Sequence, residues 1–147
     1  KLIKMNRETK LLAITSLPTV GNAGLKNILH IIGDKTIPIP TLIACGLGNM
    51  QGHQKISIPF YDTLYTSLKI GKEHDYQLIV YVGYLYHEEQ IDIIKNLIIE
   101  YREIIAKVIV DPVCGDNNRP YIDKSIIDNF HKLFEIADYI IPNETEL

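Results

Sequence analysis

The hydrophobic positions of this chain switch repeatedly between two periodicities. Leu11 to Thr15 is a short, nearly continuous apolar run that leads into Ser16, Pro18, Gly21, Asn22 and Gly24, the pattern of a buried strand entering a turn. Leu25, Ile28, Leu29 and Ile32 then recur at the i, i+3, i+4, i+7 spacing of one helix face, with Asn22 expected as N-cap and Gly33 as C-terminal stop. Lys35 to Ala44 reads as extended. Because Pro38 and Pro40 cannot donate to a ladder, this stretch is expected at a sheet edge or interrupted. Cys45 to Pro59 reads as a long polar loop, after which Tyr61, Leu64, Tyr65 and Leu68 restore helical spacing as far as Gly71.

Three further units repeat the alternation. Leu78 to Val82 is a buried strand by pattern, followed by Gly83 and Tyr84, and Ile91, Ile94, Leu97, Ile98 and Tyr101 stripe the next helix. Val108 to Val110 is a short core strand running into Asp111. Ile126, Ile127, Phe130, Leu133 and Phe134 mark another helix, with Ser125 and Asp128 as a capping pair. Tyr139 to Ile141 is the last strand, ended by Pro142-Asn143. Short strands alternating with helices of this length imply right-handed crossovers and a mostly parallel sheet covered on both faces. The expected fold is a three-layer α/β/α arrangement.

Composition narrows the partners. A chain of 147 residues can form one domain or a large piece of one, and 46% hydrophobic with 22% charged residues is ordinary for a soluble globular protein. The net charge of −3 comes from interspersed acids and bases, with no basic stripe, so no nucleic acid partner is expected. Lys1 and Lys4 precede an apolar stretch that is too short for a signal peptide or a membrane span. Met5 is a candidate native start, which would make residues 1–4 an added extension. Cys45 and Cys114 are far apart and fit neither a disulfide framework nor a zinc site, so a reducing, cytoplasmic setting is expected.

The candidate chemistry lies where the strands end. Ser16 ends the first, Tyr84 follows Leu78–Val82, Asp111 follows Val108–Val110, and Asn143 with Glu146 follows the last. In a parallel sheet these positions share the rim at which ligands bind. Loops after buried strands are polar in any case; the acids make the set informative. Asp111 and Asp116 bracket "DPVCGD", and two carboxylates on one loop repel unless a cation or donor neutralises them. With Glu144 and Glu146 on the neighbouring strand end, they suggest magnesium bound together with nucleotide phosphates. The alternative is that Asp116 serves the "GDNN" turn and the glutamates suit a helix start. The turn "VGNAG" has the wrong spacing for a dinucleotide fingerprint, there is no P-loop, and the five histidines show no ligand spacing.

"VIVDPVCGD" followed by "ADYIIPNETEL", with Tyr121 between them, resembles the pyridoxal kinase branch of the ribokinase superfamily. "SLPTVGNAG" is similar to that family's first turn, and "VGYLYHEEQIDII" to its stretch after the central strand. The resemblance runs in order from about Leu11 to Leu147 and implies that residues 1–147 are the N-terminal part of one ribokinase-like kinase domain. It implies transfer of the γ-phosphoryl group of ATP to the hydroxymethyl group of a B6 vitamer, with ATP and Mg2+ as cofactors and a homodimer as the assembly. Ser16 and Tyr84 would contact the vitamer. Asp111, Asn143 and Glu146 would face ATP, and Asp116 with Glu146 the metal. The glycine-rich segment carrying the catalytic base would lie beyond Leu147. Gly48 and Ile141 replace threonines of the family pattern. Two other readings stand beside this one: a hydroxymethylpyrimidine kinase, and a non-catalytic protein that binds a vitamer or nucleotide.

Overall fold

The computed structural model describes residues 6–147. Lys1, Lys4 and Met5 lie outside the described residues. Strand β1 (Thr9–Pro18) is followed by helix α1 (Gly24–Ile32), β2 (Thr36–Cys45), β3 (Gln54–Ile56), α2 (Phe60–Glu73) and β4 (Gln77–Val82). Then come α3 (Glu89–Glu100), β5 (Ile105–Val110), the two-residue strands β6 (Gly115–Asp116) and β7 (Arg119–Pro120), α4 (Lys124–Asn129), α5 (His131–Phe134) and β8 (Tyr139–Ile140). The main sheet runs in the order β3-β2-β1-β4-β5-β8, parallel except for β3. The direction of strand addition reverses between β1 and β4, which creates a crevice at their carboxyl ends.

Alternation along the strands sorts the two faces. Leu12, Ile14, Val80, Val82, Val108 and Val110 are fully buried and form one cluster with Leu64 and Leu68 of α2, the stripe of α3, and Leu133 of α5. Each such side chain contributes roughly 1.5–3 kcal/mol when withdrawn from water. The opposite face is less complete. There α1 packs on β1 and β2 through Leu25, while Ile79 and Ile109 stay half-buried and Tyr139 is exposed. Helices therefore flank the sheet on both faces as expected, with α1 forming the layer opposite the other helices within residues 6–147.

Several local expectations hold, and others change. Pro38 and Pro40 stand two residues apart in the half of β2 whose outer side has no strand beside it, because β3 pairs only with Ile43–Cys45. Their missing donors therefore cost no ladder bond. Cys45–Pro59 is not simply a loop, since Gln54–Ile56 returns as an antiparallel strand. Its residues are all exposed, so no apolar alternation marked it. Gly33 closes α1, but the N-cap is Ala23 rather than Asn22 and makes no side-chain cap bond. Helix α2 runs past Gly71, which is buried on the core side, where an added Cβ would lie 3.7 Å from Leu78. Ser125 and Asp128 form no capping pair. Asp123 occupies the cap, Asp128 pairs with Lys124, and the striped segment breaks into α4 and α5 around Phe130.

Candidate functional site

The crevice at the β1/β4 reversal holds a cavity of about 900 Å³. Ser16, Tyr84 and Asp116 line it, together with Lys55, Tyr81 and Tyr121. Asp111, Asn143 and Glu146 stand on the same rim, beyond β5 and β8, but do not line the cavity. The structure therefore separates the expected residues into a cleft set and an acidic loop set.

Ser16 reaches the cleft where the β1–β2 register shifts, the extra residue lying in β2. Thr15 is paired with Pro40 and Leu17 with Ile43, so Ser16 sits at a register shift that turns it out of the ladder. Helix α1 begins directly against it. A Cβ on Gly24 would fall 2.3 Å from the Ser16 carbonyl oxygen and 2.6 Å from its Oγ, so a residue with a side chain cannot take that place. Tyr84 is held by its backbone. Its N–H donates to Thr15 Oγ1 at 3.0 Å, and its carbonyl accepts from Thr41 Oγ1 at 2.7 Å. Both threonines are buried, and a Cβ on Gly83 would lie 2.8 Å from Thr15 Oγ1. Gln90 completes the clamp: its Oε1 accepts from Tyr86 N and His87 N, and its Nε2 donates to the Thr41 carbonyl. A buried amide with three partners fixes the chain path that presents Tyr84.

The acidic loop is stitched to the turn after β8. Glu146 Oε1 accepts from Cys114 N at 3.1 Å, and Oε2 accepts from Asn143 N at 2.9 Å. Asn143 Nδ2 donates to the Gly115 carbonyl, and Asn118 N donates to Thr145 Oγ1. Asn117 and Asn118 take φ values of 49° and 61°, the two left-handed residues of a tight hairpin turn between β6 and β7. Asp116 is exposed, and its Oδ1 accepts from Asn117 N. It serves that turn and also faces the cleft.

Asp111 Oδ2 accepts from the Tyr81 hydroxyl at 2.8 Å. Burial raises the Asp111 carboxyl above its ordinary value; the Tyr81 bond opposes the rise, and the Glu146 charge adds to it. Burial, then the charge of Asp111, pushes the Tyr81 phenol well up, so it remains a protonated donor. Among the described residues, no cation pairs with Asp111, Asp116 or Glu146. No cluster of three or more His, Cys, Asp or Glu side chains there could cage a metal. Magnesium does not require a cage, because it keeps several waters and takes one or two carboxylates plus phosphate oxygens. Asp116 suits that role. Glu146 already spends a lone pair of each oxygen on a backbone N–H, which suits contact through metal-bound water.

Tyr81 and Lys55 did not emerge from the sequence pattern. Tyr81 sits inside an apolar run, where a phenol reads as core. Lys55 reaches the cleft only through the long-range pairing of β3 with β2.

No protein-family model matches the chain. A Schizosaccharomyces pombe protein named as a putative pyridoxal kinase is 28% identical over 152 residues, covering 97% of this chain and 48% of its own length. A crystal structure of a putative phosphomethylpyrimidine kinase from Bacteroides thetaiotaomicron, in a form with pyridoxal, has a TM-score of 0.81 at 27% identity, covering 95% of this chain and 50% of that one. Pyridoxal kinase from Leishmania donovani, in complex with ADP and pyridoxamine, gives 0.78 at 22% identity, with 93% and 50% covered. At that identity the likeness shows the fold. The chain spans about half the length of the relatives it matches. It is similar along nearly its whole described length to kinases of this kind and has their ribokinase-like α/β fold.

Proposed function

We propose that residues 1–147 are the N-terminal part of a single ribokinase-like kinase domain, and that the full-length protein uses ATP to phosphorylate the hydroxymethyl group of pyridoxal or a related B6 vitamer. The observation that carries this reading is the joining of two features on one rim: a cleft of about 900 Å³ lined by Ser16 and Tyr84, and beside it an acidic loop locked by Glu146 to the Asn143 turn. The cleft suits a small aromatic ring, and the acidic loop suits metal-associated phosphates. ADP and pyridoxamine in the Leishmania enzyme support both parts, and pyridoxal in the Bacteroides protein supports the first.

In this scheme Ser16 and Tyr84 orient the vitamer. Asp111, Asn143 and Glu146 face the ATP phosphates, and Asp116 with water-mediated Glu146 faces Mg2+. When bound, the metal would neutralise phosphate charge. The new bond joins the vitamer hydroxyl oxygen to the γ-phosphorus, the bond to ADP breaks, and the hydroxyl proton leaves. The residues here supply positioning and charge, which dominate phosphoryl transfer. On this reading a base that lies beyond Leu147 would take that proton. A homodimer and a cytoplasmic setting belong to the same reading. Among the described residues both cysteines are free, and no helix is long and apolar enough to cross a membrane.

The name of the Bacteroides protein favours one second reading, a hydroxymethylpyrimidine kinase. A coupled assay of the full-length protein with pyridoxal, pyridoxine, pyridoxamine and hydroxymethylpyrimidine separates the two. A B6 vitamer should have the highest kcat/KM; if hydroxymethylpyrimidine does, the B6 reading falls.

A further inference from the structure

Among the described residues lining the cleft, Lys55 is the one with a permanent positive charge, and it comes from the short strand β3 that folds back over the opening. Its Nζ donates to the Tyr84 hydroxyl at 2.8 Å and lies 5.5 Å from the centre of the Tyr84 ring and 5.7 Å from that of Tyr86. No carboxylate among the described residues pairs with it. The Tyr84 phenol oxygen and the ring of Tyr86 hold the ammonium group without neutralising it, so its charge remains available to a ligand. Asp116, the acid of the cleft lining, comes from the β5 side instead, and the cleft is electrically polar from one wall to the other.

We infer that Lys55 is a specificity residue that receives an anionic oxygen carried on the ring of the substrate. The inference rests on the B6 reading and sharpens it. In a 3-hydroxypyridine, the ring nitrogen takes up the proton that the hydroxyl loses, so a phenolate oxygen is present at neutral pH. That oxygen matches a preorganised ammonium that has no acid of its own, and a charge-assisted bond between them forms with little further ordering. The aminopyrimidine of the competing reading has no ring hydroxyl and cannot make this bond. Selection between the two substrate classes then resides in a residue of the β3 flap, outside the acidic loops.

The experiment is a substrate-analogue cycle on the full-length protein, using pyridoxine and 3-deoxypyridoxine with wild type, Lys55→Met and Lys55→Arg. A charge-assisted hydrogen bond predicts a fall in kcat/KM for pyridoxine of about tenfold or more in Lys55→Met. The same substitution should change 3-deoxypyridoxine by less than about twofold, and Lys55→Arg should recover most of the pyridoxine activity. If Lys55→Met lowers both substrates equally, the lysine holds Tyr84 or meets the phosphate, and the inference is overturned. Unchanged pyridoxine kinetics overturn it as well. Failure of the wild-type protein to phosphorylate any B6 vitamer is a distinct result that removes the B6 reading, and the inference with it.

Discussion

Replacing Glu146 with alanine tests whether this carboxylate joins the two acidic segments. The substitution removes the acceptors for Cys114 N at 3.1 Å and Asn143 N at 2.9 Å. Hydrogen bonds to a charged group contribute about 1.5–3 kcal/mol each when water cannot replace them. The Cys114 bond is partly buried and keeps most of that value, whereas the Asn143 bond is exposed and its donor can turn to solvent. An opposing effect comes from relief of repulsion, because the Glu146 charge helps raise Asp111, Cys114 and Tyr121. In each case burial is the larger cause, so the relief is the smaller effect. The net expectation is a loss of about 2–3 kcal/mol, or roughly 4–12 °C in melting temperature for a domain of this size. Thermal unfolding of the full-length variant, followed by circular dichroism, reads it directly. Glu146→Gln should not rescue, since its amide sets a donor against one of the two N–H groups. If Glu146→Ala melts within about 1 °C of wild type, the carboxylate does not hold these loops together.

Four further outcomes are expected. Asp111→Ala should lower ATP-dependent phosphorylation by at least about tenfold in the full-length protein, roughly 1.4 kcal/mol of transition-state stabilisation; wild-type turnover would remove its assigned role. Because its folded carboxyl lies above the ordinary 3.8, Asp111 binds its proton more tightly when folded, so its contribution to stability is lost as pH rises through and above that value. Asp111→Asn should therefore gain stability relative to wild type towards neutral pH and lose that advantage in acid, as pH-dependent denaturation curves would show. Tyr81→Phe deletes the donor that opposes this rise, so the acidic limb of the activity profile should move to higher pH, and an unmoved limb would show that Asp111 does not control it. Residues 1–147 alone should catalyse no measurable phosphoryl transfer, because they contain no segment resembling the glycine-rich segment that carries the base. Robust turnover by that chain would show that the acids present suffice.

Local chemistry determined much of this protein. The apolar runs at Leu11–Thr15, Leu78–Val82 and Val108–Val110, and the stripe Ile91, Ile94, Leu97, Ile98, supply the core because continuous apolar runs and period-3.6 stripes leave few other places for those side chains. The edge position of the proline-bearing half of β2 followed from missing donors. The polar strand ends were also legible, since a parallel sheet brings them to one rim whatever the details of packing. What pattern could not convey is which of those residues meet. Ser16 turns into the cleft through a register shift between β1 and β2, and Tyr84 is fixed by Thr15, Thr41 and Gln90 from three separate elements. Tyr81 becomes a partner of Asp111 only when β4 lies beside β5. Lys55 enters the cleft because an all-exposed strand pairs with the end of β2, an arrangement without an apolar signature. The sequence by itself set the core strands and helices, their order and the rim. The tertiary structure decided the contacts across that rim, because each depends on backbone hydrogen bonds between segments far apart in the chain, whose register no local propensity encodes.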